Sequence, residues 1–281
     1  MIEVGKYNTL RIVKEVEFGL YLDGGGERFG EILLPKRYVP ETWAVDEMLE
    51  VFIYRDSEDR IIATTERPLA TVGEFALLEV LSVNSVGAFL DWGLSKDLLV
   101  PFREQKQDMQ VGESYMVYIF LDEESGRIAA TSKLGKYLDQ TIPEYKEGQQ
   151  VDVLVSNRNE IGFTCIVNQA HRGIIYRNEV FHKIFRGQHY TGYVEKIRDD
   201  NKIDVRLQKP SFEKVDDFEQ TLLKEIERRK GFLPFTDKTE AELIYSTFGV
   251  SKKTFKKAIG GLYFKRLITL SDEGINLVVK E

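Results

Sequence analysis

Three pairs of glycines recur along this chain, and the two members of each pair are always separated by 14 positions. The pairs are Gly5 with Gly19, Gly73 with Gly87, and Gly148 with Gly162. A short apolar run that starts with a basic residue then closes each copy, at 60–65, 127–132 and 202–207. A repeat of about 70 residues is too long for a solenoid unit, so we expect each copy to be a domain of its own.

Each copy contains five short apolar runs separated by Gly, Ser, Asn and Asp, a pattern typical of a small closed β structure. In the first copy the runs are 7–16, 18–22, 30–34, 49–54 and 60–65. In the third they are 151–155, 162–167, 173–176, 188–197 and 203–207, and Pro210 ends the copy. We predict three tandem five-stranded β barrels, at residues 1–67, 68–142 and 143–214.

After Pro210 the apolar period changes from that of strands to that of helices. One face of a first helix is formed by Phe218, Leu222, Leu223 and Ile226. Asp237 with Glu240 predicts a capping box for a second helix, and Ser251 predicts the cap of a third. Two apolar runs, 268–270 and 275–279, then read as a hairpin. Three helices and a hairpin in this order predict a winged-helix domain at 215–281. Together with the three barrels, this makes the predicted chain mainly β with an α+β end.

The charge of the chain is unevenly distributed. Residues 1–143 hold 15 Lys and Arg against 25 Asp and Glu, whereas residues 144–281 hold 24 against 21. A polyanion should therefore prefer the C-terminal half. Cys165 is the single cysteine, which excludes an internal disulfide and fits a reducing compartment. The chain has neither a signal-peptide pattern nor a run of 18 apolar residues, so we predict a cytoplasmic protein that does not enter membranes.

The third predicted helix carries the clearest charge signal. Its lysines, at i, i+1, i+4 and i+5, centre about 120° from the apolar stripe of Phe255, Ile259 and Leu262. They therefore face outward when the stripe faces the core, at the recognition position of a helix-turn-helix. The lysines that we predict to contact phosphates are Lys252, Lys253, Lys256 and Lys257.

Catalysis finds little support in the residues. The three histidines, His171, His182 and His189, all lie in the third copy at spacings unsuited to a helical metal pair, and no second cysteine is present. No Ser-His-Asp or phosphate-loop pattern occurs. We predict that the chain is not an enzyme and has no catalytic site, metal site or cofactor.

The repeat resembles the S-one domain, an RNA-binding OB-fold module, most clearly at 86–89 and 98–100. In that family, aromatic residues beside the glycine, a residue after the third strand and charged residues of the last turn line the nucleic-acid face. The resemblance implies contacts by Phe18, Tyr21 and Arg60 in the first copy, Phe89 and Arg127 in the second, and Tyr176 and Lys202 in the third. The chain departs from the family at Pro35 and Pro101, where a His is expected, and at Val86, Ile161 and Thr164, which are not aromatic.

The whole arrangement resembles the conserved virulence factor B family of bacteria, most specifically at 98–105 and 251–260. That resemblance implies a cytoplasmic RNA-binding protein that influences gene expression. We therefore predict a monomeric, non-enzymatic protein that prefers single-stranded RNA. Two alternatives remain open: a transcription regulator that binds duplex DNA through the winged helix, and a scaffold whose acidic half docks a basic protein.

Overall fold

The computed structural model describes residues 2–26, 29–180, 183–207 and 215–278. Three five-stranded β structures are followed by a small helical domain, as the repeat and the change of period predicted. The chain divides into two compact units: 1–143 with 166–172, and 144–165 with 173–281. No helix in the described ranges is long and apolar enough to cross a membrane.

The first barrel is closed, with strand order β1-β2-β3-β5-β4. Antiparallel pairs join every neighbour except β3 and β5, which run parallel and meet at Leu33 and Ile62. Apolar side chains on the inner face of these strands, such as Ile12, Leu22 and Ile53, form its core. The strands are β1 Tyr7–Val16, β2 Gly19–Asp23, β3 Glu31–Pro35, β4 Met48–Arg55 and β5 Ile61–Thr64.

The second copy forms a five-stranded sheet of order β10-β9-β6-β7-β8. This is the strand order of the first barrel, but within the described chain no hydrogen-bonded ladder joins its two ends, β8 and β10. The strands are β6 Phe75–Val83, β7 Gly87–Leu90, β8 Leu98–Pro101, β9 Ser114–Leu121 and β10 Ile128–Thr131.

The third barrel is closed in the same way as the first, and its parallel pair joins β13 to β15 at Gly173 and Ile203. The predicted end of this copy at Pro210 lies outside the described residues. The strands are β11 Gln150–Arg158, β12 Gly162–Val167, β13 His171–Tyr176, β14 His189–Ile197 and β15 Ile203–Arg206.

The first glycine of each repeated pair has the same structural role in all three copies, and so does the second. The N–H of the first glycine donates to the fourth strand: Gly5 to Ile53 at 2.7 Å, with the same bond at Gly73 and Gly148. These three glycines turn the chain with φ between +77° and +90°, a region that glycine occupies at little cost.

The second glycine of each pair begins the second strand at φ of +153° to +156° and lies against the third strand's backbone. A Cβ at Gly19 would come within 2.1 Å of the Leu34 carbonyl oxygen, and the other two copies are equally tight. The 14-residue spacing therefore records two backbone requirements that only glycine meets.

The first two barrels pack against each other within the first unit. Phe52 of the first meets Trp92 of the second in a T-shaped contact with 5.8 Å between ring centroids, inside a buried cluster to which both barrels contribute. The Tyr38 hydroxyl and the Ser95 hydroxyl share a hydrogen bond of 2.7 Å. Because apolar burial and polar contacts both cross this boundary, the two barrels form one packed body.

The C-terminal domain has three helices and a three-stranded sheet of order β16-β18-β17. The predicted apolar stripe is buried, since Phe255, Ile259 and Leu262 all lie in the core together with Phe218 of the first helix. The elements are α1 Val215–Arg228, β16 Phe232–Leu233, α2 Ala241–Phe248, α3 Lys252–Phe264, β17 Ile268–Leu270 and β18 Ile275–Leu277.

Of the two predicted helix caps, one is confirmed and one is wrong. The Ser251 hydroxyl accepts a hydrogen bond from the Thr254 N–H at 3.1 Å, as expected for the N-cap of α3. The capping box of Asp237 and Glu240 does not form: α2 begins later, its N-cap is Glu240, and no side chain caps it. The backbone at 236–239 is instead turned by the Thr239 hydroxyl, which accepts from the Thr236 N–H.

Candidate nucleic-acid interface

The first barrel presents an exposed aromatic pair at the start of β2. Phe18 is 55% exposed, and its ring meets the ring of Tyr21 edge-on at 6.2 Å. The Lys14 ammonium lies 5.0 Å above the Tyr21 ring and forms an ion pair of 2.6 Å with Glu31. An aromatic surface with a cation at its edge can stack a base, but the neighbouring carboxylate offsets the charge of Lys14.

Arg60, predicted to contact nucleic acid from the last turn of the first barrel, lies in a local ion-pair cluster. Its guanidinium is 2.7 Å from Asp56 and 3.1 Å from Glu58. Burial works to raise the pKa of Asp56, but hydrogen bonds from the side chain and backbone of Arg60 bring that pKa below its usual value. Two carboxylates therefore already surround this cation.

In the second barrel the predicted residues lie in different surroundings. Phe89 is half-buried on β7 opposite Leu99, and the neighbouring Val86 is exposed. Arg127 donates from Nε to Asp59 of the first barrel at 2.9 Å, and a second bond joins the same two side chains. Phe89 therefore has an aliphatic neighbour where the family has an aromatic residue, and the predicted cation Arg127 is bound across the junction between the barrels.

In the third barrel Tyr176 is half-buried at the end of β13, and its hydroxyl donates to the buried Asp204 carboxylate at 3.4 Å. Lys202 forms an ion pair of 2.7 Å with Asp200. The Lys202 bond lowers the pKa of Asp200. Ile161 is exposed where the family has an aromatic residue, and the Thr164 hydroxyl shares a hydrogen bond with Ser156.

The structure reveals basic and aromatic residues of the third barrel that the sequence analysis did not select. The Arg158 guanidinium lies 6.0 Å from the Phe163 ring, and the Arg186 Nε donates to the Ser156 carbonyl at 3.0 Å. Phe185, next to Arg186, is exposed. The sequence could have indicated part of this surface, because basic and aromatic residues are interspersed at 183–190, a pattern that favours nucleic-acid binding.

The four lysines predicted on α3 all lie on its outward side, opposite the buried stripe. Lys253, Lys256 and Lys257 are exposed, and Lys256 lies 3.5 Å from Asp237. The Lys252 ammonium donates to the Lys238 carbonyl oxygen at 3.3 Å. The helix therefore presents several ammonium groups to solvent along one face, as the periodicity indicated.

Within the second unit, the turn after β13 lies close to α3. The Arg177 N–H donates to the Ile161 carbonyl at 3.1 Å, which holds the turn after Tyr176 beside the start of β12. Two residues later, burial and the nearby Glu195 raise the pKa of Glu179, whereas the positive charges of Arg206 and Lys253 act to lower it. The turn that follows Tyr176 thus lies within electrostatic range of Lys253, near the N-terminus of α3.

In the described part of the chain, no three His, Cys, Asp or Glu side chains come together as a metal site requires. The histidines have other contacts. His171 is buried with its Nε2 3.0 Å from the Thr141 hydroxyl, and the His189 Nδ1 lies 2.8 Å from Asp152. His182 lies outside the described residues.

Comparisons with known proteins agree with this architecture. A family model for the S1 (S-one) domain matches residues 4–66 and 72–133, and a model for the CvfB-like winged helix domain matches 220–277. The YitL protein of Bacillus subtilis is 26% identical over 265 residues, 92% of this chain and 88% of the relative. Conserved virulence factor B of Staphylococcus aureus is 24% identical over 243 residues, 84% and 81% of the two chains.

A crystal structure of a multidomain protein with nucleic acid binding domains from Streptococcus pneumoniae is 23% identical, covers 98% of each chain and has a TM-score of 0.41. The two family models lie on the first two barrels and on the helical domain, and the third barrel repeats the strand order of the first. The predicted resemblance to the conserved virulence factor B family is therefore confirmed: this chain is built from nucleic-acid-binding S1 domains and a CvfB-like winged helix domain.

Proposed function

We propose that this protein binds single-stranded RNA through the third barrel and helix α3, as a non-enzymatic regulator of gene expression in the bacterial cytoplasm. The observation that carries the proposal is the row of exposed lysines on α3, which lies in the same compact unit as Tyr176, with Lys253 within electrostatic range of Glu179. An unpaired strand needs a track of cations for its phosphates and aromatic faces for its bases. This surface supplies the cations from α3 and the aromatic rings from the third barrel.

The distribution of charge supports the second unit as the principal site. The first 143 residues carry an excess of ten acidic residues, whereas residues 144–281 carry an excess of three basic residues. We propose that the Phe18 and Tyr21 pair of the first barrel, with Phe89 of the second, adds stacking contacts but few contacts to phosphate.

The preference for an unpaired strand follows from the chemistry of the exposed side chains. Lysines bind phosphates as point charges, and α3 exposes no Arg, Asn or Gln that could read base edges in a duplex groove. The wing turn between β17 and β18 exposes Asp272 and Glu273, which would meet the phosphates of a duplex. Stacking requires bases free of a partner strand, so single-stranded RNA fits this surface better than duplex DNA.

A charge-reversal experiment tests the proposal. Changing Lys253 and Lys257 to Glu should weaken binding to all RNA sequences alike. The slope of log K against log salt should flatten by roughly 0.7 for each phosphate that the variant no longer binds. The matched control reverses two exposed lysines of the first unit, Lys106 and Lys133, and produces the same net charge. Equal weakening by both pairs would show an effect of net charge alone and contradict the proposed site.

The aromatic part of the site needs a separate variant. Tyr176→Ala should lower affinity by a stacking increment of roughly 1–3 kcal/mol while the salt slope stays nearly constant. A competition among single-stranded RNA, duplex RNA and duplex DNA completes the test. Tighter binding to duplex DNA would favour a transcription regulator, and an absence of binding to any nucleic acid would favour a protein scaffold.

A further inference from the structure

Phe264, in the last turn of α3, is 89% exposed, although the same helix buries Phe255 completely. Single exposed apolar residues are common on protein surfaces, so exposure by itself says little. Its neighbours along the helix make this one informative, because they are the lysines that we assign to RNA phosphates.

The helical period places Phe264 on the lysine face. Lys257 precedes it by seven residues, or two turns, and Lys253 by eleven, so that each lies within about 20° of Phe264 around the helix axis. Lys253, Lys257 and Phe264 therefore form one stripe, about 16 Å long, on the side opposite Phe255. The stripe starts in the first turn of α3 at Lys253 and ends in an exposed aromatic ring.

A glycine occupies the position between Lys257 and Phe264 on this stripe. A Cβ at Gly260 would meet nothing within 4 Å, whereas a Cβ at the adjacent Gly261 would lie 2.0 Å from the buried Glu219 carboxylate on α1. Packing thus explains Gly261 but not Gly260, even though a glycine inside a helix lowers its stability relative to alanine. At Gly260 the bare backbone leaves a shallow gap on the outer surface, directly before the ring.

We infer that Phe264 stacks on an unpaired RNA base, and that Gly260 leaves room for the sugar and phosphate between this base and the phosphates held by Lys253 and Lys257. The inference rests on the proposed function and extends that site along the full length of α3. The positive charge of Lys253 and Lys257 on the stripe suits a polyanion. A planar apolar ring at the end of a cationic stripe matches a strand whose bases are free, since a paired base cannot offer its face.

The experiment compares an oligouridine of about 12 nucleotides with an abasic oligomer of the same length, both labelled for fluorescence anisotropy. Phe264→Ala should weaken binding of the oligouridine roughly 5- to 150-fold and leave its salt slope unchanged. Phe264→Trp should retain the affinity, and Phe264→Leu should lose it as Ala does, because leucine is apolar but not planar. On the abasic oligomer all four proteins should bind alike.

Leu243→Ala, which removes another exposed apolar side chain from the same domain, is the matched control and should not change affinity. Circular dichroism of each variant verifies the fold. The inference is overturned if folded Phe264→Ala binds oligouridine as wild type does, if Phe264→Leu retains full affinity, or if the loss is equal on the abasic oligomer. If any of those results is found while reversal of Lys253 and Lys257 still weakens RNA binding, the proposed function stands and only the role of Phe264 is wrong. A wild-type protein that binds neither oligomer overturns both.

Discussion

The Asp59 carboxylate of the first barrel accepts two hydrogen bonds from the Arg127 guanidinium of the second, across 68 positions of sequence. The turn that holds Arg127 is also bound through its backbone, because the Arg55 Nε donates to the Gly126 carbonyl at 2.9 Å. The two barrels therefore meet through their last turns as well as through the buried contact of Phe52 with Trp92. A residue that the family resemblance assigned to RNA has a protein partner in this structure.

The Asp59 pair predicts a pH-dependent contribution to stability. Hydrogen bonds from Arg127 hold the pKa of Asp59 below its usual 3.8. A carboxylate with a lowered pKa in the folded state stabilises above its unfolded pKa, and the effect disappears as pH falls through the folded value. Asp59→Asn should therefore melt below wild type at pH 7, and the difference should vanish in strong acid.

Melting curves recorded from neutral to acidic pH check this expectation, with Asp108→Asn as the control at an exposed carboxylate of the same unit. Arg127→Ala should reproduce the Asp59→Asn profile and leave RNA affinity unchanged. A large loss of RNA binding in the Arg127 variant would assign that residue to the interface after all.

The glycine that begins β7 predicts a severe substitution. A Cβ at Gly87 would lie 2.3 Å from the Val100 carbonyl oxygen, and its φ is +156°. Gly112, in the turn before β9, also has positive φ, but a Cβ there meets nothing within 4 Å. Gly112→Ala should therefore cost about 1–2 kcal/mol for the backbone alone, and Gly87→Ala roughly 2–5 kcal/mol because the third strand must move.

Urea denaturation followed by tryptophan fluorescence measures the two costs, since Trp92 is buried in the second barrel. An equal loss in the free energy of unfolding for both variants would mean that β8 moves aside at little cost and that the close approach of the strands does not require glycine.

Glu179 predicts a coupled effect on stability and binding. Burial and the charge of Glu195 raise the pKa of this carboxyl above its usual 4.5. Between the unfolded and the folded pKa, the folded state therefore binds more protons than the unfolded state, and the free energy of unfolding declines as pH rises from 4.5 through the folded pKa. Glu179→Gln removes the titration and should gain stability relative to wild type between acidic and neutral pH. Removing a negative charge near Lys253 should also strengthen RNA binding, by up to about fivefold.

Melting curves against pH and anisotropy titrations with oligouridine measure the two effects. Glu227→Gln, at an exposed position on α1, changes the net charge equally and should alter neither property. Weaker RNA binding by Glu179→Gln would indicate that the carboxylate orients Lys253 rather than competing with phosphate for it.

The amino-acid sequence predicted the barrels and the winged helix because both depend on local spacing. Alternating apolar residues form a strand whose inner face is buried. Phe255, Ile259 and Leu262 recur with the helical period, so the buried face of α3 and the outward position of its lysines could also be predicted. The false capping box at Asp237 marks the limit of such reasoning. The motif was present, but the Thr236 and Thr239 turn satisfies the backbone there and the helix begins later.

By itself, then, the sequence determined the kind of domain, its repeat and the cationic face of α3, since each follows from residues close together along the chain. Only the tertiary structure decided which partners the charged residues have. Arg127 meets Asp59 and Lys253 lies near Glu179 because packing brings together turns that are about 70 positions apart. Likewise, the period places Phe264 beside the lysines, but its exposure depends on which elements cover the end of α3. Pairing and exposure are properties of the assembled surfaces, and no local pattern records them.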